Sequence, residues 1–382
     1  MRLKERVAVG AALVLALVAQ GCGGDDADET TAASSAAADG TTTTAAATTT
    51  VAATAAETTV VETTAAETTT SAAAELATVK VVTLPFITFA PFYIGIEDGY
   101  FEAQGIEVEL VNMTVQEEII PALSSGQVDV SSGLLSAGMF NAITRGAEIK
   151  ITADKGFIDP EGCVNYSVIG RADLIESGAL ESPEQLAGTT INVVPATWLE
   201  YYLGEVLELG SLTLDDIEPT NISAPAVPDA LNQSQLDAAV NAEPWVTIMA
   251  NSGHVPVLQL PQEILPNESA AVLLYGPTLL GENADLGVRF MAAYLQSVAV
   301  YQEGKTEHNL DIIQAFTELD RGLLDAMCWP PINPTGEVAL DPVTAFQDFA
   351  VARGYLDAVV PPEQFYDGSF LTEANQLLQE GT

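Results

Sequence analysis

The sequence predicts an α/β body of two similar halves with a helical C-terminal part, set behind a long flexible tether. Three observations lead there. Strand and helix patterns alternate in two runs between Val79 and Tyr275, helical spacing takes over from Leu286 onward, and residues 23–78 are mostly Ala and Thr. A chain of 382 residues has room for two lobes of ordinary size.

The N-terminus reads as an address. Arg2, Lys4 and Arg6 form a positive start, and Val7 to Val18 is a short apolar run. A run of about 12 residues is too short for a hydrocarbon core that needs ~20. Ala19-Gln20-Gly21-Cys22 follows. Residues 1–22 are therefore expected to be a signal segment ending at Cys22. The next 56 residues, 23–78, hold 19 Ala and 18 Thr and no Lys or Arg. Such a stretch has little to bury against its ordering entropy, and its β-branched Thr clusters oppose a helix. It is expected to be a disordered linker.

The body starts with the strand pattern Val79 to Leu84, closed by Pro85. Pro91 to Ala103 has helical spacing that breaks near Gly99. Ile106 to Val111 is the next strand, Gln116 to Ser124 a helix, Val128 to Ser132 a short buried strand, Ser136 to Thr144 a helix, and Ile149 to Ala153 a strand. The second run has strands at Thr190 to Val194, Leu236 to Val240 and Val255 to Val257. Helices at Trp198 to Leu209, Pro228 to Gln233 and Pro244 to Asn251 lie between them. After Ala271 to Tyr275 come helical stretches at 286–303, 310–317, 321–327, 343–353 and 371–378. This alternation indicates βαβ units and parallel sheets.

Charge excludes some functions. The chain has 12 basic against 53 acidic residues, a formal net charge of -41. Phosphate-backbone binding needs a basic footprint, so nucleic acid is not an expected partner, nor is a polybasic membrane contact. The two histidines, His254 and His308, are read as structural or exposed. There is no metal-spaced His or Cys cluster, no P-loop and no nucleophile–base pair, so no metal, cofactor or catalytic residue is assigned.

Three stretches stand out together: Phe86 to Phe101 with Gly105-Ile106-Glu107-Val108, Ile120-Pro121-Ala122-Leu123-Ser124-Ser125-Gly126-Gln127-Val128-Asp129-Val130, and Leu231 to Val240 ending in Glu243-Pro244-Trp245. This ordered set, over about residues 79–300, resembles the solute-binding proteins of ABC importers for nitrate, sulfonate, taurine and thiamine-pyrimidine precursors. The segment before Cys22 similarly resembles the bacterial lipobox, whose Cys is lipidated. The resemblance implies a two-lobed α/β body of the periplasmic-binding-protein type 2 fold. It also implies a discontinuous first lobe, residues 79–168 plus 270–382, and a second lobe, 172–268. It further implies an extracytoplasmic monomer, held to the outer face of the cell membrane only by lipid, that delivers a small solute to permease and ATPase subunits.

In open parallel sheets ligands sit beyond the carboxyl ends of strands. Thr88 and Phe89 follow the first strand and face that crevice. Tyr93 lies one turn beyond Phe89, and one of the two rings is expected in the core. Ser131 and Ser132 end the third strand and offer hydroxyls and backbone N–H groups. Thr197 is placed to cap a helix, Trp198 to supply a flat wall, and Glu243 to meet a ligand amine or the helix dipole. Trp245 is either a wall or core. None of these loops carries Lys or Arg, and the nearest basic residue is Arg145. The expected solute is a small nitrogen- or sulfur-containing organic molecule (a pyrimidine precursor, an amine, taurine or a sulfonate), with the neutral or cationic nitrogenous kind favoured. Two alternatives stay open: an enzyme on the same fold acting on a pyrimidine or related metabolite, and a sensory or adhesive lipoprotein that binds without import. Secretion puts Cys163 and Cys328 in an oxidising setting, where a bridge is expected against two separate buried thiols.

Overall fold

The computed structural model describes residues 75–113, 118–258 and 261–380. Cys22, the expected signal segment and all but the last four residues of the expected 23–78 linker lie outside the described residues. Two five-stranded sheets form the body. The first contains β1 (Ala77–Thr83), β2 (Ile106–Asn112), β3 (Val130–Leu134) and β4 (Lys150–Phe157). The chain then crosses to the second sheet for β5 (Tyr166–Gly170), β6 (Thr190–Asn192), β7 (Glu218–Thr220), β8 (Ala238–Ala242) and β9 (Val255–Leu258). It returns for β10 (Ser269–Tyr275). The strand orders are β2-β1-β3-β10-β4 and β7-β6-β8-β5-β9.

The sheets are mixed, which corrects the expectation of wholly parallel ones. β1 runs parallel to β2 and β3, but β10 lies antiparallel between β3 and β4. Likewise β6 is parallel to β7 and β8, while β5 is antiparallel to β8 and β9. A parallel neighbour needs a helical crossover on one face of its sheet. β5 and β10 are reached from the other sheet instead, without that crossover. β5 begins at Tyr166, inside the range expected of the first lobe, and pairs in the second sheet.

Local chemistry explains the elements that frame the site. β10, Ser-Ala-Ala-Val-Leu-Leu-Tyr, is buried along its whole length, as a central strand covered on both faces is. The helix Ala90–Glu97 ends where Gly99 takes φ +74°, a backbone that a side chain disfavours. That helix lies tightly on the helix Ala284–Tyr301: a Cβ on Gly95 would sit 2.3 Å from Ser297 Oγ. Phe92 meets Tyr294 there at 5.6 Å between ring centroids. The helix Leu340–Ala352, in the C-terminal part, touches both halves. Phe346 lies 6.2 Å from Phe140 of the first half, and Phe349 lies 5.4 Å from Tyr201 of the second. Among the described residues no helix is long and apolar enough to cross a membrane.

Candidate functional site

A cavity forms where the two sheets meet. The loop after β1 contributes Phe86, Thr88 and Phe89, the end of β3 Gly133 and Leu134, and the end of β8 Ala242 and Glu243. β4 supplies Lys155, β5 Tyr166, and the C-terminal part Pro330. Three of these contributions come from carboxyl ends of strands, where the crevice of an α/β sheet opens. The free volume is about 30 Å³, room for one or two waters.

Lys155 dominates the chemistry of this space. Its side chain is 2% exposed. Nζ donates to Thr88 Oγ1 at 2.9 Å and sits 3.3 Å from the centre of the Phe89 ring. A hydroxyl and a π face thus hold two sides of the amine. Burial holds Lys155 well below the ordinary lysine range, opposed by the charge of Asp154. Burial in turn pushes Asp154 up to about 7, although the Asn333 N–H donates to its carboxylate at 2.9 Å. An isolated buried ammonium is costly, so this amine favours any anion that reaches it. Sequence reasoning missed Lys155, because the strand pattern there was read as ending at Ala153. The cationic pole of the cavity therefore comes from within a strand rather than from a loop.

Glu243 also lines the cavity and is 3% exposed. Its carboxylate is taken up internally: Thr247 N–H and Oγ1 donate at 3.1 and 2.8 Å, and Cys328 N–H at 3.0 Å. Burial raises its pKa, and these donors and Lys305 oppose the rise. Glu243 thus fixes the start of the helix Trp245–Asn251 to the segment around Cys328. Cys328 is joined to Cys163 by a disulfide.

The remaining expected residues lie around this centre. Ser131 and Ser132 are buried in β3, next to the lining Gly133, and their hydroxyls have no hydrogen-bond partner among the described residues. Thr197 Oγ1 donates to Val194 O at 2.7 Å and does not cap its helix; Glu200 instead accepts from Ala196 N–H at 2.7 Å. Trp198 is fully buried and stacks on Tyr202 at 5.6 Å, with Nε1 donating to Glu268 at 2.6 Å. It is a core residue, and its neighbour Leu199 reaches the cavity instead. Tyr93 and Trp245 line an adjoining pocket, and Trp245 Nε1 donates to Pro85 O at 3.1 Å. The histidines serve structure: His254 Nδ1 accepts from Ala172 N–H at 3.2 Å, and His308 meets Asp98 at 2.9 Å. Among the described residues no group of His, Cys, Asp and Glu is placed to hold a metal.

Two mixed α/β sheets, with a largely apolar cavity at their junction that holds one buried amine, define a two-lobed body of the periplasmic-binding-protein type 2 class. The chain belongs to the NMT1/THI5-like family, whose model matches residues 86–304. The comparison with curated proteins found no match. Solved structures share the fold at low identity. The alkanesulfonate-binding protein SsuA from Xanthomonas axonopodis pv. citri, bound to MOPS, has a TM-score of 0.63 and 15% identity, covering 77% of this chain and 99% of its own. The periplasmic nitrate-binding protein NrtA from Synechocystis PCC 6803 has a TM-score of 0.65 and 13% identity, covering 80% and 90%. The desulfurization enzyme DSZB has a TM-score of 0.58 and 15% identity, covering 79% and 99%. Binding proteins and an enzyme thus share this architecture.

Proposed function

We propose that this protein is the solute-binding component of an ABC importer, and that its cavity takes a small organic anion through Lys155. One observation carries the ligand choice: a wholly buried amine at the sheet junction, held by Thr88 and the Phe89 ring, with no carboxylate at ion-pair distance among the described residues. Glu243 is the less available pole, because Thr247 and Cys328 already donate to its oxygens. The favoured solute thus shifts from an amine to a sulfonate or carboxylate. The sulfonate- and nitrate-binding names of the fold neighbours support that class.

The small cavity volume supports a closed state, in which lobes near 79–168 plus 270–382 and 172–268 must part before solute enters. A thermal-shift screen tests the reading with taurine, methanesulfonate, nitrate, a hydroxymethylpyrimidine and putrescine. A hundredfold excess over Kd stabilises the fold by about 2.7 kcal/mol. The anions should raise the melting temperature and putrescine should not. A shift with putrescine alone overturns the anion site. Conversion of a solute to product, with no stable complex, replaces import by the enzyme reading.

Delivery to a permease and ATPase requires the protein to stay at the membrane. The segment up to Cys22 supports a lipid anchor, with residues 23–78 as the tether to the body. Two acyl chains or more hold a protein stably where one does not. Cys22→Ala should therefore release the chain from the membrane fraction. Unchanged fractionation, with no acyl mass on the N-terminal peptide, removes the anchor from the scheme.

A further inference from the structure

We infer that His254 is an acid-sensitive lock on the second sheet, whose neutral ring joins β9 to two helices and whose protonation lets them go. The inference is independent of the solute and of the cavity. His254 stands just before β9 and is 3% exposed. Its Nδ1 accepts from the Ala172 N–H at 3.2 Å, at the start of the helix Ala172–Glu176. A backbone N–H can only donate, so Nδ1 carries no proton and the hydrogen of the neutral ring is on Nε2. Nε2 then donates to Asn232 Oδ1 at 3.2 Å, at the end of the helix Val227–Asn232. The backbone N–H of His254 donates to Met249 O at 3.1 Å, which fixes the residue to a third helix, Trp245–Asn251.

Adding a proton to Nδ1 sets two N–H donors against each other inside the fold. The Ala172 bond is then lost, and a buried charge gains no acceptor in its place. The surrounding charges do not offset this. Burial opposes the charged ring most, Arg171 opposes it further and Asp173 favours it, so that His254 is held below its ordinary value. Asp173 is already bound to Arg171 at 2.6 Å, as is Asp237 at 2.9 Å. Glu176 and Asp229, the other charged residues of the first two helices, are exposed, and neither β5, β9 nor the helix Trp245–Asn251 has a charged residue. Asp237 also accepts from the Thr190 N–H at 2.9 Å. The corner thus gathers the end of β5 and the starts of β6, β8 and β9. Tyr166 and Ala242, at the opposite ends of β5 and β8, line the cavity, so the lock holds the sheet at the end away from the site.

The test follows urea unfolding of the full chain and of His254→Asn from about pH 7.5 to 5. Asn Oδ1 takes the place of Nδ1 and accepts from Ala172 without titrating. The unfolded chain takes up a proton near the ordinary histidine value of 6.5, and the fold does so only at lower pH. The wild type should therefore lose stability as pH falls through that window, its unfolding constant rising by up to about tenfold per pH unit relative to the variant. Asp154 and Glu268, pushed up to about 7 by burial, act in the opposite sense, but both proteins contain them and the comparison cancels them. Parallel pH dependence in the two proteins overturns the lock. Ring-nitrogen NMR gives a second readout that does not need His254→Asn to fold. The chain has two histidines, and His308→Gln leaves the signal of His254 alone. The folded protein should show a bare Nδ1 and a proton on Nε2, and should charge only below the ordinary histidine value. A proton on Nδ1 at neutral pH, or charging at or above that value in the intact fold, overturns the inference.

Discussion

Lys155→Met should cost about a hundredfold in affinity for an anionic solute while leaving the fold as stable as before or more so. Met fills nearly the same volume, so the packing against Phe89 is largely kept. The bond from Nζ to Thr88 Oγ1 goes, along with the charge-assisted bond to the anion. A hydrogen bond to a charged group contributes about 1.5–3 kcal/mol, and about 2.7 kcal/mol is a hundredfold in Kd. Stability moves the other way, because a buried amine with no carboxylate at ion-pair distance among the described residues is expensive to keep. Opposite signs for the two readouts separate loss of the site from misfolding.

Proton linkage gives a second check on the same residue. Burial holds the Lys155 amine well below its ordinary value in the free protein. A bound anion favours the ammonium and raises that value. Between the two values the complex carries more protons than its free components. Binding therefore takes up protons in that window, and Kd rises with pH by at most about one decade per unit. Titrations in buffers of different ionisation enthalpy measure the uptake, and Lys155→Met should abolish it. Wild-type affinity in Lys155→Met would sink the anion site.

Much of the frame was legible because strand and helix periods are local properties. The helix Trp198–Leu209 lies where its spacing put it, and β1 starts two residues before Val79. The loop carrying Thr88 and Phe89 was found because it follows an obvious strand. β5 was missed: Tyr166-Ser167-Val168-Ile169-Gly170 is short, and it becomes a strand by pairing with β8 and β9, which are distant in sequence. Lys155 was missed for a related reason. Asp154 and Lys155 look like a solvated strand end, yet β4 runs on to Phe157 because β10 pairs beside it and the Asn333 N–H donates to one oxygen of Asp154. Counting lysines does not single it out: of the five in the chain, Lys80, Lys150 and Lys155 all fall within strands. Trp198 shows the converse limit. A helix start does not say whether its ring faces a cleft or a core, and here Tyr202 and Glu268 draw it inward.

Removing the disulfide should have the largest effect on stability and a modest one on binding. Cys163 lies in the crossing between the sheets and Cys328 just beyond the helix Arg321–Ala326, at a sequence separation of 165. On the chain-entropy model a closed loop of that length is worth about 5 kcal/mol, and measured losses for native bridges run from about 2 to 5. The segment next to Cys328 shapes the cavity through Pro330, so some loss of affinity follows. That loss should stay small, because Trp329 is pinned separately. Its ring stacks on Tyr301 at 4.7 Å, and its Nε1 donates to Tyr301 O at 3.0 Å. The Cys328 N–H bond to Glu243 is also a backbone contact that a Ser side chain leaves in place. The double variant Cys163→Ser, Cys328→Ser should therefore unfold at clearly lower urea and bind its solute within about tenfold of wild type. Reductant should lower the urea midpoint of the wild type and leave the variant unchanged. Equal midpoints for the wild type with and without reductant would show that the bridge adds nothing. A collapse of affinity in a variant that still folds would show that the bridge, rather than Tyr301, holds the cavity wall.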